Sequence, residues 1–298
     1  MLLNKFIRLT IFSVLILAGS WNCDVKQKDS PNSSFRIISL APHITEIIYA
    51  IGAQENLIAV TDFCKYPEEA KAKQKVGGLL NPNIELIIAL KPTHIFGMPS
   101  HEKLDQELKK FGLNITMMSN ENISDVLNSI KQIGQTIGYD QKARKLVDQI
   151  STTFDLLQKK SIQRSGISAA LIIGREKGTL RNITVAGDDT FLDEIWQLCG
   201  GINVYNDMPI RYGTISLESL LMKDPDVIIE FELEGEYDIR RIDNADEWKV
   251  LNNLSAAKNQ NIFVISGNHT LIPGPRMTLL AEDFTRIIEK LYSLNAIE

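Results

Sequence analysis

From Phe35 onward, short apolar runs alternate with longer amphipathic ones. FRIISLAP reads as a strand running into Pro42, and Thr45-Glu46 then opens IIYAIG, an apolar helix closed by Gly52. LIAVTD predicts the next strand. After a loop through Pro67 and Gly77-Gly78, Asn83 is placed to cap a helix at Glu85, Pro92 stops that helix, and THIFG makes a strand. A helix from Lys103 to Phe111, a strand at NITMMS and a helix from Ile123 to Ile137 follow. Strands that alternate with helices in this way predict a largely parallel sheet.

Asp140 to Gln163 breaks the rhythm. Ala143, Leu146, Val147, Ile150, Phe154 and Leu157 recur at three- and four-residue steps with no Gly or Pro between them, which predicts one helix roughly 30 Å long. The alternation then restarts. AALIIG and NITVAG are strands, with a helix from Thr190 to Leu198 closed by Gly200-Gly201. A helix at Glu218, the strand DVIIEF, a helix around Trp248 to Leu254, the strand NIFVIS and a helix from Met277 to Leu294 complete the chain.

One phrase occurs in both halves. ELIIALKPTHIFG begins at Glu85 and ESLLMKDPDVIIE at Glu218; each opens on Glu, reaches Pro seven positions later and continues into an aliphatic stretch. Any α/β protein has helices that lead into strands, but the matched interval at comparable places argues for two like α/β lobes flanking the long helix.

The 298 residues, 44% hydrophobic and 23% charged, suffice for two modest domains. The first twenty residues stand apart from them: Lys5 and Arg8 precede LTIFSVLILAG, an apolar core too short to span a bilayer comfortably, and small residues follow. This is a secretory signal. Its removal takes the net charge from −5 to −7, because residues 1–22 contain two bases and no acid. An acidic exported chain without a basic patch is a poor nucleic-acid binder. Ala18-Gly19-Ser20 fits an ordinary cleavage site, whereas Cys23 lies where a lipoprotein carries its lipid, and Asp24 to Ser34 reads as a tether. Cys64 and Cys199 are expected to be partly buried thiols rather than a disulfide framework.

Enzyme signatures are absent: the sequence has no Gly-x-Ser-x-Gly, no phosphate-binding loop and no Cys-x-x-Cys. The four His show no spacing for a metal site. His94 falls in a strand and His101 before a polar helix, where structural or solvated roles are expected. His43 and His269 each follow an apolar strand directly, where α/β sheets present ligand-binding groups. Phe63, Tyr66, Tyr205 and Tyr212, near strand ends, suit a large flat ligand, although such rings are more often simply packing.

SLAPHITEIIYAIG, TDFCKYPEEA, KVGGLLNPNIELIIALKPTHIFG, LCGGINVY and PGPRM resemble, in matching order, the substrate-binding proteins of ABC importers for cobalamin and ferric siderophores. The resemblance runs from about Phe35 to the C-terminus. It implies the helical-backbone metal receptor type, a class III binding protein: α/β, with two parallel-sheet lobes bridged by a single long helix. The parts are then a signal peptide (1–22), a tether (23–34), an N-terminal lobe (35–138), a connecting helix (139–164) and a C-terminal lobe (165–298). The Cys-x-Tyr-Pro and Pro-Gly-Pro-Arg stretches lean toward the corrinoid-binding branch.

Carried over by position, the resemblance implies that His43, Phe63 and Leu79 line the cleft from one lobe, and Val185, Asn268, His269 and Arg276 from the other. Glu85 and Glu218 match the residues that dock on Arg pockets of the two permease subunits. Cobalamin binders often carry Trp where Leu79 and His269 stand. Haem binders use a Tyr near the Gly-rich turn, which has none here; His43 or His269 remains open as a metal ligand. Siderophore binders use several Arg, for which Arg276 and Arg175, Arg181 or Arg211 are the candidates. The expected protein is a monomeric carrier without intrinsic cofactor or resident metal, lipid-anchored at Cys23, that hands a corrinoid to a permease dimer with its ATPase subunits. A ferric siderophore or haem is the alternative ligand, and an exported enzyme acting on a metal-tetrapyrrole, or an adhesion protein, the alternative class.

Overall fold

The computed structural model describes residues 35–161, 166–233, 235–242, 246–249 and 251–295. The signal peptide, the tether with Cys23 and the last residues expected for the connecting helix lie outside these. The N-terminal lobe contains β1 (Ile37–Ser39), α1 (Pro42–Ala50), β2 (Leu57–Val60), β3 (Gln74–Lys75), α2 (Ile84–Ala89), β4 (His94–Gly97), α3 (Glu102–Lys109), β5 (Ile115–Met117) and α4 (Ile123–Thr136). Its five strands are all parallel, in the order β3-β2-β1-β4-β5. Helix α1 begins three residues earlier than the sequence suggests. Pro42 occupies its first turn, where a missing N–H costs nothing, so His43 lies on the helix and not in a loop.

The connecting helix α5 (Asp140–Ser161) buries Ala143, Val147, Ile150, Phe154 and Leu157, with Leu146 at the edge of that stripe. It packs on α4 near Gly134, where an added Cβ would lie 2.3 Å from the Cβ of Ala143. Only glycine permits that approach.

The C-terminal lobe contains β6 (Ser168–Gly174), β7 (Ile183–Ala186), α6 (Phe191–Leu198), β8 (Ile202–Asn203), β9 (Tyr212–Ile215), α7 (Leu217–Lys223), β10 (Val227–Glu232), β11 (Asp238–Arg241), α8 (Asp246–Lys249), α9 (Ser255–Lys258), β12 (Ile262–Ser266) and α10 (Met277–Asn295). Its sheet is mixed, which corrects the expectation of two parallel sheets. Strands β8, β6, β10 and β12 run parallel, but β7 pairs antiparallel with β6 and β9, and β11 antiparallel with β12. The helix expected around Trp248 to Leu254 is instead two short helices, with 251–254 turning between them.

Each lobe has an apolar cluster of its own, and a third is shared by both. The shared cluster runs from Ile44 and Ile47 of α1 through Ile130 and Ile133 of α4 and the buried stripe of α5 to Ile195 and Trp196 of α6 and Phe284 of α10. Polar contacts tie the lobes as well: the Phe191 amide donates to the Glu121 carbonyl (2.8 Å), and the Ile123 amide to the Glu194 carboxylate (2.7 Å). Accordingly the described residues form a single compact unit. Cys64 and Cys199 are free and buried, more completely than expected. Among the described residues no helix is long and apolar enough to cross a membrane.

Candidate functional site

In the N-terminal sheet the chain leaves β1 toward β2 and β3 on one side and returns to β4 and β5 on the other. The crevice beyond the carboxyl ends of strands at such a reversal is where open α/β sheets bind ligands. A cavity of about 420 Å³ opens there. Every strand of the lobe is followed by residues of its wall: Pro42, His43 and Glu46 on α1 after β1, and loop residues Phe63, Lys65 and Tyr66 after β2, Leu79 after β3, Met98 after β4 and Asn120 after β5. The opposite wall comes from the C-terminal lobe, with Leu233 and Gly235 after β10, and Asn268 and Leu271 to Pro273 after β12. The surface is chiefly apolar and aromatic with a few polar groups, as small-molecule sites usually are.

His43, second residue of α1, is 3% exposed. Its Nε2 is buried with no hydrogen-bond partner. Burial, with His101 nearby, lowers its pKa to about 3, so the ring is neutral near neutral pH. His101 supports the wall from behind. Its Nδ1 accepts from the Met98 amide at 2.9 Å and its Nε2 lies 2.6 Å from the Leu79 carbonyl, so one ring fixes the loops after β3 and β4. The expected structural role of His101 therefore bears directly on the site.

A charged cluster joins the two walls. Arg276 donates from Nε and Nη2 to the two carboxylate oxygens of Glu46, at 2.9 and 2.5 Å, and from Nη1 to the Asn268 side-chain oxygen at 2.6 Å. Its guanidinium lies 3.8 Å from the centre of the Tyr66 ring. Burial pushes the Glu46 carboxyl up, and the hydrogen bonds and charge of Arg276 oppose that rise. Arg276 is thus committed to protein partners one layer behind the surface, and Tyr66 and Asn268 present the cluster to the cavity.

His43, Phe63, Leu79 and Asn268 come together at the cavity, and three other sequence candidates do not. His269 is 4% exposed, 3.2 Å from an Asp283 oxygen, with the Tyr237 ring edge-on, and faces the lobe interior. Val185 is fully buried in the second apolar cluster, because its position in β7 points inward. Arg276 acts through Glu46 and Tyr66. Of the four aromatics, Phe63 and Tyr66 reach the site, whereas Tyr205 is buried in the second apolar cluster and Tyr212 packs against the shared one. Arg175 is held by Glu230 and Glu247, and Arg211 by Asp189, so neither is free for a siderophore oxygen. Arg181 is exposed outside the cavity. Sequence reasoning missed Glu46, Lys65, Met98, Asn120 and Leu271, among others. Glu46 alone left a signal, an acid among Ile44, Ile47 and Ile48 on a buried helix face.

Glu85 and Glu218 occupy the same place in their helices. Each is the second residue, after Asn83 capping α2 and Ser216 capping α7, and each is exposed.

Two lobes, one long connecting helix and a cleft between strand ends define a solute-binding architecture, and the chain belongs to the periplasmic binding protein family, matched over residues 37–268. Particular members are close. The vitamin B12-binding protein of Vibrio vulnificus (strain YJ016) is 30% identical over 265 residues, which cover 86% of this chain and 92% of that protein. The crystal structure of the periplasmic vitamin B12 binding protein BtuF of Vibrio cholerae is similar with a TM-score of 0.72 at 26% identity, over 85% of this chain and 96% of that one. The periplasmic haem binding protein HutB of Vibrio cholerae is similar with a TM-score of 0.72 at 26% identity, over 87% and 99%.

Proposed function

We propose that this protein is an extracytoplasmic carrier that captures a cobalamin-type corrinoid in the interlobe cleft and passes it to an ABC importer, its permease dimer driven by ATPase subunits. The carrying observation is the cavity itself. Loops from both lobes surround a mostly apolar space, with Phe63, Tyr66, Leu79 and Leu271 for the broad faces of a macrocycle and Asn120 and Asn268 for an amide rim. Similarity to vitamin B12-binding proteins supports the same ligand class. Cys23 would carry the lipid that retains the mature chain at the membrane, and Glu85 and Glu218 would meet the permease.

Isothermal titration of the purified protein with cyanocobalamin tests the reading. The expected dissociation constant is at or below about micromolar, roughly −8 kcal/mol, with one-to-one stoichiometry and recovery of unaltered ligand. Chemical conversion of the ligand would mark an enzyme. Haem is the second reading, favoured by the likeness to HutB. Tight binding of haemin without heat from any corrinoid would promote it.

A further inference from the structure

The C-terminal wall of the cavity comes from two connections, with Leu233 and Gly235 after β10 and Asn268 and Leu271 to Pro273 after β12. None of these residues belongs to a strand or helix, so no regular backbone ladder fixes their spacing. One buried side chain meets both connections. Asp283, the seventh residue of α10, is 1% exposed and accepts from the Tyr237 hydroxyl through Oδ1 at 2.6 Å. Its Oδ2 lies 3.2 Å from His269 Nε2, which donates to a carboxylate there. Tyr237 is two residues beyond Gly235, and His269 is next to Asn268.

The two anchors also touch each other. The Tyr237 ring stands edge-on to His269, with 5.3 Å between centroids. Gly267 has a φ of +137°, and a Cβ on it would lie 2.9 Å from His269 Nδ1 and 3.6 Å from the Tyr237 Cα. Glycine is what lets the connections close to that distance. Arg286 completes the arrangement by donating to the Tyr237 hydroxyl oxygen at 2.7 Å. Burial and the Asp283 carboxylate push the Tyr237 phenol up, so it keeps the proton that it donates.

A buried carboxylate of this kind has a plainer use, which is to hold α10 on its lobe. Tyr237 argues for more. It is 55% exposed, so its ring adds little to a core, yet its hydroxyl turns inward to Asp283. That bond places a connection. The opposite wall is built in the same manner, where His101 ties the connections after β3 and β4.

We propose that Asp283 is a positioning residue for ligand capture, which through Tyr237 and His269 sets the spacing of the two connections in the C-terminal wall. The proposal rests on the cleft holding a tetrapyrrole. Asp283, Tyr237 and His269 do not line the cavity; their effect reaches a ligand through Leu233, Asn268 and Leu271. A wall already in place binds more tightly, because less of it has to be ordered on binding.

The test uses the full chain without its signal peptide, together with Asp283→Ala, Asp283→Asn and Tyr237→Phe. Each is titrated with cyanocobalamin and with haemin, and the visible circular dichroism that the bound ligand acquires is recorded. For whichever ligand the wild type binds, Asp283→Ala and Tyr237→Phe should weaken affinity by on the order of tenfold and alter the induced dichroism. Asp283→Asn, which keeps an acceptor for Tyr237 and a polar partner for His269, should restore most of both. A role confined to holding α10 would lower the urea midpoints of the variants and leave affinity and dichroism as in the wild type. That result would overturn the inference alone. If Asp283→Ala does not fold, Tyr237→Phe decides by the same two readings. Wild-type protein that binds neither ligand would overturn the inference together with the tetrapyrrole reading.

Discussion

Lys65 stands exposed at the mouth of the cleft, and among the described residues no carboxylate pairs with it. The nucleotide loop of a complete corrinoid carries one phosphodiester charge, whereas cobinamide lacks it. Lys65→Met should therefore weaken cyanocobalamin binding by about 0.5–1 kcal/mol, the size of an exposed ion pair, and dicyanocobinamide binding less. The difference should fade in calorimetry at high salt. His43 gives a second expectation through its pKa of about 3. The unfolded chain protonates this ring near its usual 6.5 and the folded one does not, so the unfolded state binds more protons between those values. The stability contribution is complete above about 6.5 and is lost as pH falls toward 3, by up to several kcal/mol. Urea midpoints of His43→Leu should fall less steeply over that window than those of the wild type. Most of the site's residues were legible as types following strands, but their partners were not. Glu46 meets Arg276 across 230 positions, a distance over which no periodicity carries information.

At the scale of elements, the repeated Glu–Pro phrase becomes two capped helices, α2 and α7, with Glu85 and Glu218 in equivalent first-turn positions. A carboxylate there is favoured by the macrodipole alone, and the Glu218 pKa is lowered by its own amide and by Ser216. That accounts for either residue singly, not for a matched pair, of which Glu218 shares α7 with exposed Leu221 and Met222. Replacing both Glu by Ala should leave ligand affinity in solution nearly unchanged and abolish uptake in a reconstituted importer, since truncating one side of a desolvated Arg–carboxylate pair costs about 2–5 kcal/mol. Normal uptake would leave the two Glu as helix-stabilising groups only. Strong periodicity made α5, α4 and α10 legible. The mixed sheet escaped because β9 and β11 are four residues long, with Tyr212, Gly213 and Thr214 or Asp238 and two Arg among them. Such stretches become strands through their neighbours, not through their own apolar pattern.

For the whole molecule, the continuous core through α5 and the amide contacts of Phe191 and Ile123 oppose large movement of the lobes. Bending α5 would disturb successive backbone hydrogen bonds, which a hinge of crossing strands avoids. Solution scattering with and without saturating ligand should therefore show almost the same radius of gyration; a marked compaction would contradict this. The long helix announced that stiffness in the sequence. The polar ties between lobes did not, because they join groups far apart in the chain, one of them backbone to backbone between Phe191 and Glu121.

The contact between Glu46 and Arg276 also sets a clock. It joins the two walls, with the carboxylate 3% and the guanidinium 12% exposed. Traffic into or out of the cleft that separates those walls must rehydrate two charges at once, at a barrier set by the protein and common to every ligand. Capture and escape are then slowed together, and equilibrium affinity is left to the cavity surface. Residence time becomes a property of the carrier and not of its cargo.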